Sequence, residues 1–330
     1  MREIYFAHTI AFHSSPRKTE REMLLAMYDV IVVGGGPAGM TAALYALRNG
    51  KSALVIEKHG LGGQITYSPK VENFPGNLSM SGNEFADHFL DQIMAQGAEV
   101  ELEKVTDIEK KDGCFAVHTE EGSTFAGKTV VLATGVKHRM LGLEGEYDLV
   151  GEGISFCAVC DGDFYTDQTV AVAGGGNSAL QEAILLAGKC KQVIMLQDLP
   201  TFTGEQKLQE ILFSKPNVSK FTNMKLTRLV TENGTLRGID TLNTATGETG
   251  HVDCDGLFIA IGLIPENEPF ADFAKLNRFG YFDTDEFCCT ETPGLFVAGD
   301  CRSKMTRQLT TAVADGAVAA LAACRYIDQL

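Results

Sequence analysis

The sequence lacks any stretch of about 18 consecutive apolar residues, so a membrane-spanning helix is not expected. Basic residues are also scarce: 28 Lys and Arg stand against 43 Asp and Glu, which gives a net charge of −15. Such an excess of negative charge argues against nucleic acid and against an anionic membrane surface as partners. It does not choose among protein partners.

The sequence also lacks the cysteine patterns of a disulfide framework and of a zinc site. The nine cysteines are an odd, scattered set, which is not the pattern of a disulfide framework, and no Cys/His group has zinc spacing. We therefore expect no metal site. Residues 1–26 do not have the features of a signal or transit peptide, and we interpret them as a disordered extension or a misassigned start. These features predict a cytoplasmic protein.

One closely spaced cysteine pair is present. Cys157 and Cys160 are separated by two residues, and Asp161 follows directly. Such a pair can close a small disulfide ring and open it again, which is two-electron chemistry. A structural or inert pair is the alternative interpretation. Asp161 is the nearest candidate acid/base, and its alternative role is that of a turn or N-cap residue. The adjacent Cys288 and Cys289 are interpreted as buried fillers.

A dinucleotide fingerprint precedes the cysteine pair. An apolar, β-rich run over 28–33 leads into Gly34, Gly36 and Gly39 and then into a helical pattern. Glycines at these positions allow a tight turn and close backbone approach to a pyrophosphate. Glu57 ends the next predicted strand, where a carboxylate accepts hydrogen bonds from ribose hydroxyls. Since strand, helix and acid all stand at fitting distances, dinucleotide binding is favoured over glycines that merely turn the chain.

A second strand–glycine–helix unit follows the cysteine pair. Its predicted strand over 168–173 is followed by a similar glycine motif, and an acidic residue follows the next predicted strand. Together the two units predict a flavin-linked disulfide reductase with an α/β fold. We expect two Rossmann-like three-layer nucleotide-binding domains, the second inserted into the first. The residues assigned to a nicotinamide nucleotide are Gly174, Gly176, Asn177, Ser178, Ala179 and Asp198.

The predicted domain boundaries follow from this duplication. The first segment of an FAD-binding domain covers 27–142, an inserted NAD(P)-type domain with the dithiol covers 143–264, and 265–330 completes the FAD domain. A small-residue helix over 310–326 is expected to pack closely on the first fingerprint.

The order of these pieces resembles the low-molecular-weight thioredoxin reductase family over about residues 27–330. The location of the dithiol in the second nucleotide-type unit is the most specific feature. The matching motifs are GGGPAG at 34–39, GGQI at 62–65, ENFPG at 72–76, ATG at 133–135, CAVCDG at 157–162, GGGNSA at 174–179, GD at 299–300 and RQLTTA at 307–312.

The resemblance implies tightly bound FAD. Gln64 and Asn73 would neighbour the flavin ring, and Asp300 would contact the ribityl chain. Arg307 and Gln308 would border the pyrimidine side, where an arginine stabilises negative charge on the reduced ring. Pyrophosphate and ribose would be held at the first fingerprint. The remaining residues that the resemblance places at the cofactor are Pro37, Ala38, Val105, Thr134, Gly135 and Leu309.

The resemblance also implies roles for the sulfurs and for partners. Cys160 would exchange electrons with the flavin, Cys157 would attack the disulfide of a thioredoxin-like protein, and Asp161 would serve as acid/base. The family further implies a homodimer. Two rival interpretations are a flavin-dependent disulfide oxidase that uses oxygen and a flavin-bound redox sensor that is not an enzyme.

The sequence departs from the family where NADPH-using members bind the 2′-phosphate of the nucleotide. NADPH-using members carry a His-Arg-Arg cluster after the second strand of the inserted domain, whereas this chain has Gln197 and Asp198 and no Lys or Arg between Lys191 and Lys207. This argues against NADPH, and an acid there suits the free 2′-hydroxyl of NADH. A ferredoxin-dependent reductase is favoured and an NADH-linked one stays open. Because ferredoxins are usually acidic, docking calls for a basic patch. The candidates for it are Arg302, Lys304, Arg307, Lys137, His138 and Arg139.

Overall fold

The computed structural model describes residues 27–330, so the interpretation of residues 1–26 lies outside the described residues. The described chain forms two mostly parallel sheets flanked by helices, which confirms the predicted α/β class. Among these residues no helix is both long and apolar enough to cross a bilayer. The helices are α1 (Pro37–Arg48), α2 (Gly82–Ala95), α3 (Ala158–Asp161), α4 (Asn177–Leu186), α5 (Gln206–Phe213) and α6 (Leu309–Ile327). The strands are β1 (Met27–Val33), β2 (Ala53–Ile56), β3 (Glu99–Glu101), β4 (Val105–Lys111), β5 (Cys114–Thr119), β6 (Thr124–Leu132), β7 (Lys137–His138), β8 (Ile154–Ser155), β9 (Thr169–Ala173), β10 (Gln192–Leu196), β11 (Val218–Phe221), β12 (Met224–Glu232), β13 (Thr235–Asn243), β14 (Thr249–Asp253), β15 (Gly256–Ile259), β16 (Leu263–Ile264) and β17 (Leu295–Val297).

The first sheet has the strand order β3-β2-β1-β6-β5-β4, and β17 pairs with β6. Strand β1 is central and parallel to both neighbours, and its residues from Val30 to Val33 are buried. On one face Val30 and Val32 pack against α1 and α6, and on the other face Ile31 and Val33 pack with residues of β4, β5 and the segment 270–282. The carboxyl ends of β1, β6 and β17 lie at one edge. This edge therefore collects the first glycine loop, the turn at Thr134 and the carboxylate of Asp300.

The second sheet has the order β11-β10-β9-β15-β8, with all strands parallel. A three-stranded antiparallel sheet of β12, β13 and β14 lies beside it. Strand β8 leads into the dithiol turn, and the carboxyl end of β9 leads into the second glycine loop. The two chemically marked segments of this unit thus come from neighbouring parts of one sheet.

Short strands β7 and β16 pair with each other, with His138 opposite Leu263 and Lys137 opposite Ile264. They lie on the two segments where the chain passes between the sheets. We therefore propose domain boundaries near residues 142 and 264, where the sequence predicts them.

Helix α6 packs on α1 through small residues. A Cβ atom on Gly316 would lie 2.2 Å from the backbone oxygen of Ala38, and Ala319 and Ala323 are fully buried in the same core. The close packing predicted for this helix is confirmed. Because Ala38 lies in the first turn of α1, this contact also fixes the helix that follows the first glycine loop.

We expect Gly316→Val to lower the melting temperature by about 5 °C, because overpacking a tight helix contact typically costs about 1–3 kcal/mol. Ala314→Val, on the exposed face of the same helix, is the matched control. Thermal unfolding followed by circular dichroism measures the difference. Equal melting temperatures for the two variants would show that α6 and α1 move apart to accommodate the larger side chain with little loss of stability.

Candidate active site

The Cys157–Cys160 pair is joined as a disulfide at the start of α3. Cys157 is extended and Cys160 lies one helical turn later, so both sulfurs project to the same side. The Cα atoms are 5.3 Å apart. The sequence motif thus folds into a turn in which a disulfide forms without displacing the backbone.

The sulfur of Cys160 lies at the interface with the first unit. Asn73 Nδ2 is 4.0 Å from Cys160 Sγ and 3.3 Å from Gln308 Oε1. Gln308 is the N-cap residue of α6. The structure therefore brings the sulfur of Cys160 close to the side-chain amides of Asn73 and Gln308, which are expected at the flavin ring. The three residues are far apart in sequence.

Asp161 is held beneath the sulfurs. Its Oδ2 accepts a hydrogen bond of 2.6 Å from Ser155 Oγ, and Ser155 Oγ in turn accepts from the backbone N–H of Cys157 at 3.1 Å. Asp161 Oδ1 is buried and has no hydrogen-bond partner. Burial raises the pKa of Asp161, partly offset by the Ser155 hydrogen bond. The carboxyl group therefore keeps its proton to a higher pH than an exposed aspartate does.

The first glycine loop has the shape of a phosphate cradle. A Cβ on Gly34 would lie 2.3 Å from Ala133 O, and one on Gly39 would lie 1.9 Å from Gly34 O, so neither position accommodates a side chain. Gly36, in contrast, faces open space. Glu57 is buried, and its carboxylate accepts hydrogen bonds from the backbone N–H groups of Gly35 (2.7 Å) and His59 (3.0 Å). A carboxylate fixed in this way retains lone pairs for two ribose hydroxyls.

Asp300 offers the clearest fit to a polyol. Its Oδ1 is buried without a hydrogen-bond partner, since Lys304 Nζ is 3.7 Å away. Burial raises the pKa of Asp300 despite the neighbouring Lys304 and Arg307. Arg307 donates to the backbone oxygen of Asp300 at 3.1 Å and stacks on Tyr281 at 4.1 Å. A ribityl hydroxyl would satisfy the Asp300 oxygen, so the residues present fit FAD.

The other predicted cofactor residues are arranged less tightly. Thr134 donates to the buried side chain of Asn267 at 2.8 Å. Gln64 is exposed on a short 3-10 turn, and Val105 begins the outer strand β4 opposite Thr119. Pro37 and Ala38 form the first turn of α1, Gly135 follows Thr134, and Leu309 begins α6.

The second glycine loop repeats the geometry of the first. A Cβ on Gly174 would lie 2.4 Å from Ala260 O, and Gly176 has no neighbour closer than 3.9 Å. Ala179 is buried and Ser178 is exposed in the first turn of α4. Room for a pyrophosphate is therefore retained.

The ribose end of this loop is polar and acidic. Gln197 is buried and donates to Thr201 O at 3.2 Å, whereas Asp198 is exposed. Asn177 donates to Glu205 Oε1 at 2.9 Å and accepts from the Glu205 N–H at 2.7 Å. The side chains next to the loop thus add negative charge where a 2′-phosphate would need cations.

The prediction of a free basic patch for ferredoxin docking is wrong for Arg302 and Lys304. Arg302 and Lys304 each form an ion pair of 2.8 Å with Asp315, and their side chains are only 12% and 14% exposed. Lys137 is paired with Glu266 at 2.8 Å. Burial lowers the pKa of His138 to about 4, so this ring is neutral at pH 7. Of the remaining two candidates, Arg139 is exposed, whereas Arg307 is half-buried against its tyrosine.

Sequence reasoning missed Ser155, Asn267, Tyr281 and Glu182. Glu182 lies on α4, and its carboxylate accepts a hydrogen bond from the Ala158 N–H inside the dithiol turn. None of the four belongs to a motif that marks it. A polar Ser155 between apolar Ile154 and Phe156 is the one local signal that pointed to a buried polar contact.

Comparison with known proteins gives consistent results. A family model described as pyridine nucleotide-disulphide oxidoreductase matches residues 28–316. The chain is 38% identical over 304 residues to the thioredoxin reductase of Treponema pallidum (92% of this chain, 98% of the relative). It is 36% identical over 307 residues to that of Listeria monocytogenes (92% and 95%). The solved structure of thioredoxin reductase from Streptococcus pyogenes superimposes with a TM-score of 0.87 at 35% identity, covering 92% of this chain and 99% of that one.

Proposed function

Because this chain belongs to the pyridine nucleotide-disulphide oxidoreductases, and among them to the low-molecular-weight thioredoxin reductases, we propose that it reduces the disulfide of a thioredoxin-like protein through FAD and the Cys157–Cys160 pair. The observation that carries this proposal is the contact of Cys160 with Asn73, which stands beside Gln308. It joins the dithiol to the edge of the FAD site in a single chain.

Gly34, Gly36, Glu57 and Asp300 are the residues that would hold FAD, which would supply two electrons to the disulfide. Reduction breaks the Cys157–Cys160 bond and leaves both sulfurs reduced. Cys157 then attacks the substrate disulfide as a thiolate, which forms a mixed disulfide and releases one substrate sulfur. Cys160 attacks Cys157 in turn, re-forms the internal disulfide and releases the second substrate sulfur. Two electrons have then passed to the substrate.

Asp161 serves the proton side of this exchange. Burial raises its pKa, so this carboxyl group binds a proton more tightly than an exposed aspartate does, and we infer that it passes a proton to the released substrate thiolate. The Ser155 hydroxyl keeps the carboxyl group oriented toward the dithiol turn.

For the electron donor we propose reduced ferredoxin. The single supporting observation is the acidic nucleotide site: no Lys or Arg occurs between Lys191 and Lys207, while Asp198 is exposed there and Glu205 pairs with Asn177. A 2′-phosphate brings about two negative charges and needs bidentate or paired cations. Without them NADPH is bound weakly, and a protein donor becomes the better source of electrons.

An NADH-linked reductase is the second candidate, and one specific observation favours it. Gly174 has the positive φ of 128° that favours glycine, and a Cβ on Gly176 would have no neighbour closer than Thr203 Oγ1 at 3.9 Å, so the start of α4 keeps space for a pyrophosphate. Asp198 would then accept hydrogen bonds from the ribose hydroxyls.

We expect reduced ferredoxin to bleach the flavin within seconds under anaerobic conditions, while NADPH and NADH at equal electron equivalents leave it oxidised. Absorbance near the flavin band measures this directly. Rapid bleaching by NADH would support the second candidate, and rapid bleaching by NADPH would contradict the inference from the acidic site. Peroxide formed from a dithiol without any donor would indicate the oxygen-using oxidase instead.

From the family resemblance we also propose that the protein works in the cytoplasm as a homodimer. The monomer has a mass of 35.6 kDa. Sedimentation velocity of the FAD-loaded protein separates the two states, and a species of monomer mass alone would contradict the dimer.

A further inference from the structure

Helix α4 contributes a carboxylate to the dithiol turn of the same unit. Glu182 Oε2 accepts a hydrogen bond from the backbone N–H of Ala158, the residue that directly follows Cys157. Glu182 is partly buried and lies on the helix that begins at the second glycine loop. The side chain of Glu182 therefore connects the turn that carries the sulfurs to helix α4.

The neighbouring amide is held from the other direction. The N–H of Cys157 donates to Ser155 Oγ, whose hydroxyl donates to Asp161. Two consecutive amides of the turn are thus fixed by two polar side chains. Glu182 is itself a carboxylate, and Ser155 is hydrogen-bonded to the carboxyl group of Asp161.

Within residues 27–330, no cationic side chain acts on either of the two carboxyl groups. Burial raises the pKa of Glu182, the Ala158 hydrogen bond offsets this in part, and the charge of Asp161 raises it further. Burial, together with the charge of Asp161, raises the pKa of Tyr165 to about 12, so this phenol is neutral at pH 7. Lys189, the nearest lysine in sequence on this side, is paired with Asp163. When Glu182 is ionised, its charge is therefore little offset by neighbouring side chains.

We propose that Glu182 is a positioning residue that fixes the dithiol turn through the Ala158 amide and, by its negative charge, opposes thiolate formation at Cys157. The inference rests on the proposed role of Cys157 and Cys160 as the redox pair. Reduction breaks the sulfur–sulfur bond and adds two electrons, and any thiolate that results lies near this charge. Destabilising the thiolate makes the reduced pair a stronger reductant for its protein substrate.

The test compares three variants as FAD-loaded protein. Glu182→Gln keeps an oxygen acceptor for the Ala158 amide but removes the charge. Glu182→Leu removes both, and Glu210→Gln, on the exposed face of α5, is the control for a carboxylate lost elsewhere. After chemical reduction, the rate of Cys157 alkylation is measured from pH 5 to 9 by peptide mass spectrometry. The reduced fraction is measured in glutathione redox buffers.

For Glu182→Gln we expect the titration midpoint of Cys157 to fall by about one pH unit. At pH values above the wild-type midpoint, the ratio of reduced to oxidised pair should rise about tenfold at fixed glutathione potential. The difference should disappear at low pH, where wild-type Glu182 is itself protonated. Glu182→Leu should also slow protein-disulfide reduction, and Glu182→Gln should restore much of that rate.

Overlapping alkylation profiles for wild type, Glu182→Gln and Glu210→Gln over the whole pH range would overturn the proposal. Glu182→Gln is close to isosteric, so it provides the test even if Glu182→Leu does not fold. Alkylation requires neither the electron donor nor thioredoxin. A wild-type protein that fails to reduce thioredoxin would therefore contradict the proposed function, and the charge effect at Cys157 would be judged separately.

Discussion

Cys160→Ser is expected to abolish reduction of a thioredoxin-like disulfide, by on the order of 10³-fold or more, while FAD remains bound. Serine cannot form the internal disulfide through which electrons pass. Cys157 is still able to attack the substrate, but no second sulfur then resolves the mixed disulfide. We therefore expect a covalent complex between the variant and its substrate to accumulate, visible on a non-reducing gel.

The control for this variant is Cys114→Ser, since Cys114 lies on β5 away from the dithiol. Flavin absorbance confirms that both proteins carry the cofactor. Turnover retained by Cys160→Ser would remove this residue from the electron path. Loss of flavin from Cys160→Ser alone would show that the sulfur supports the cofactor site and does more than accept electrons.

Much of the fold is predictable because each unit repeats a local pattern. The apolar run of β1, the glycine loop and the helix behind it are all set by residues close in sequence, although the observed α1 begins at Pro37, three residues before the helical pattern predicted from Met40. The small-residue helix predicted over 310–326 is observed over Leu309–Ile327, so each of its ends differs by one residue. Helix α2 begins at Gly82 because Ser81 and Glu84 form a capping box there.

The site was predictable only where it lies within a motif. Cys157, Cys160 and Asp161 lie within five consecutive positions, so their proximity follows from the sequence. Glu182 and Ser155 approach the same turn through the tertiary fold, and no local pattern marks them. The meeting of Asn73 with Cys160 likewise depends on how the two units face each other, which the sequence left undetermined.

The error over Arg302 and Lys304 has the same origin. Two cations close together on a loop suggest a free basic surface when only neighbours in sequence are considered. Their partner, Asp315, lies on α6, more than ten residues further along the chain. Reversing their charge would break a shielded ion-pair network beside Asp300, so such variants do not report on docking of a donor. Arg139, which is exposed, is the more informative position for that question.

We expect the double variant Asp198→Arg/Leu199→Arg to gain affinity for NADPH by more than tenfold, with a much smaller gain for NADH. Both positions are exposed, at the point where the family carries its arginines, so the fold should tolerate the change. Hydrogen bonds to a charged group contribute about 1.5–3 kcal/mol each, and every 1.4 kcal/mol corresponds to about a tenfold change in the binding constant. Removing the aspartate also removes a repulsion from the 2′-phosphate.

Glu286→Arg/Phe287→Arg makes the matched control, because it replaces an exposed acidic–apolar pair with two arginines outside the inserted unit. Binding of NADPH and NADH is measured by titration, and anaerobic bleaching shows whether bound nucleotide also delivers electrons. A gain limited to NADPH and to the first variant would show that the second glycine loop still accepts a dinucleotide and lacks only its cations. An unchanged preference between the two nucleotides would contradict the placement of Asp198 beside the ribose. In that case the absence of basic residues would no longer argue for a protein donor, and the acidic site would need another explanation.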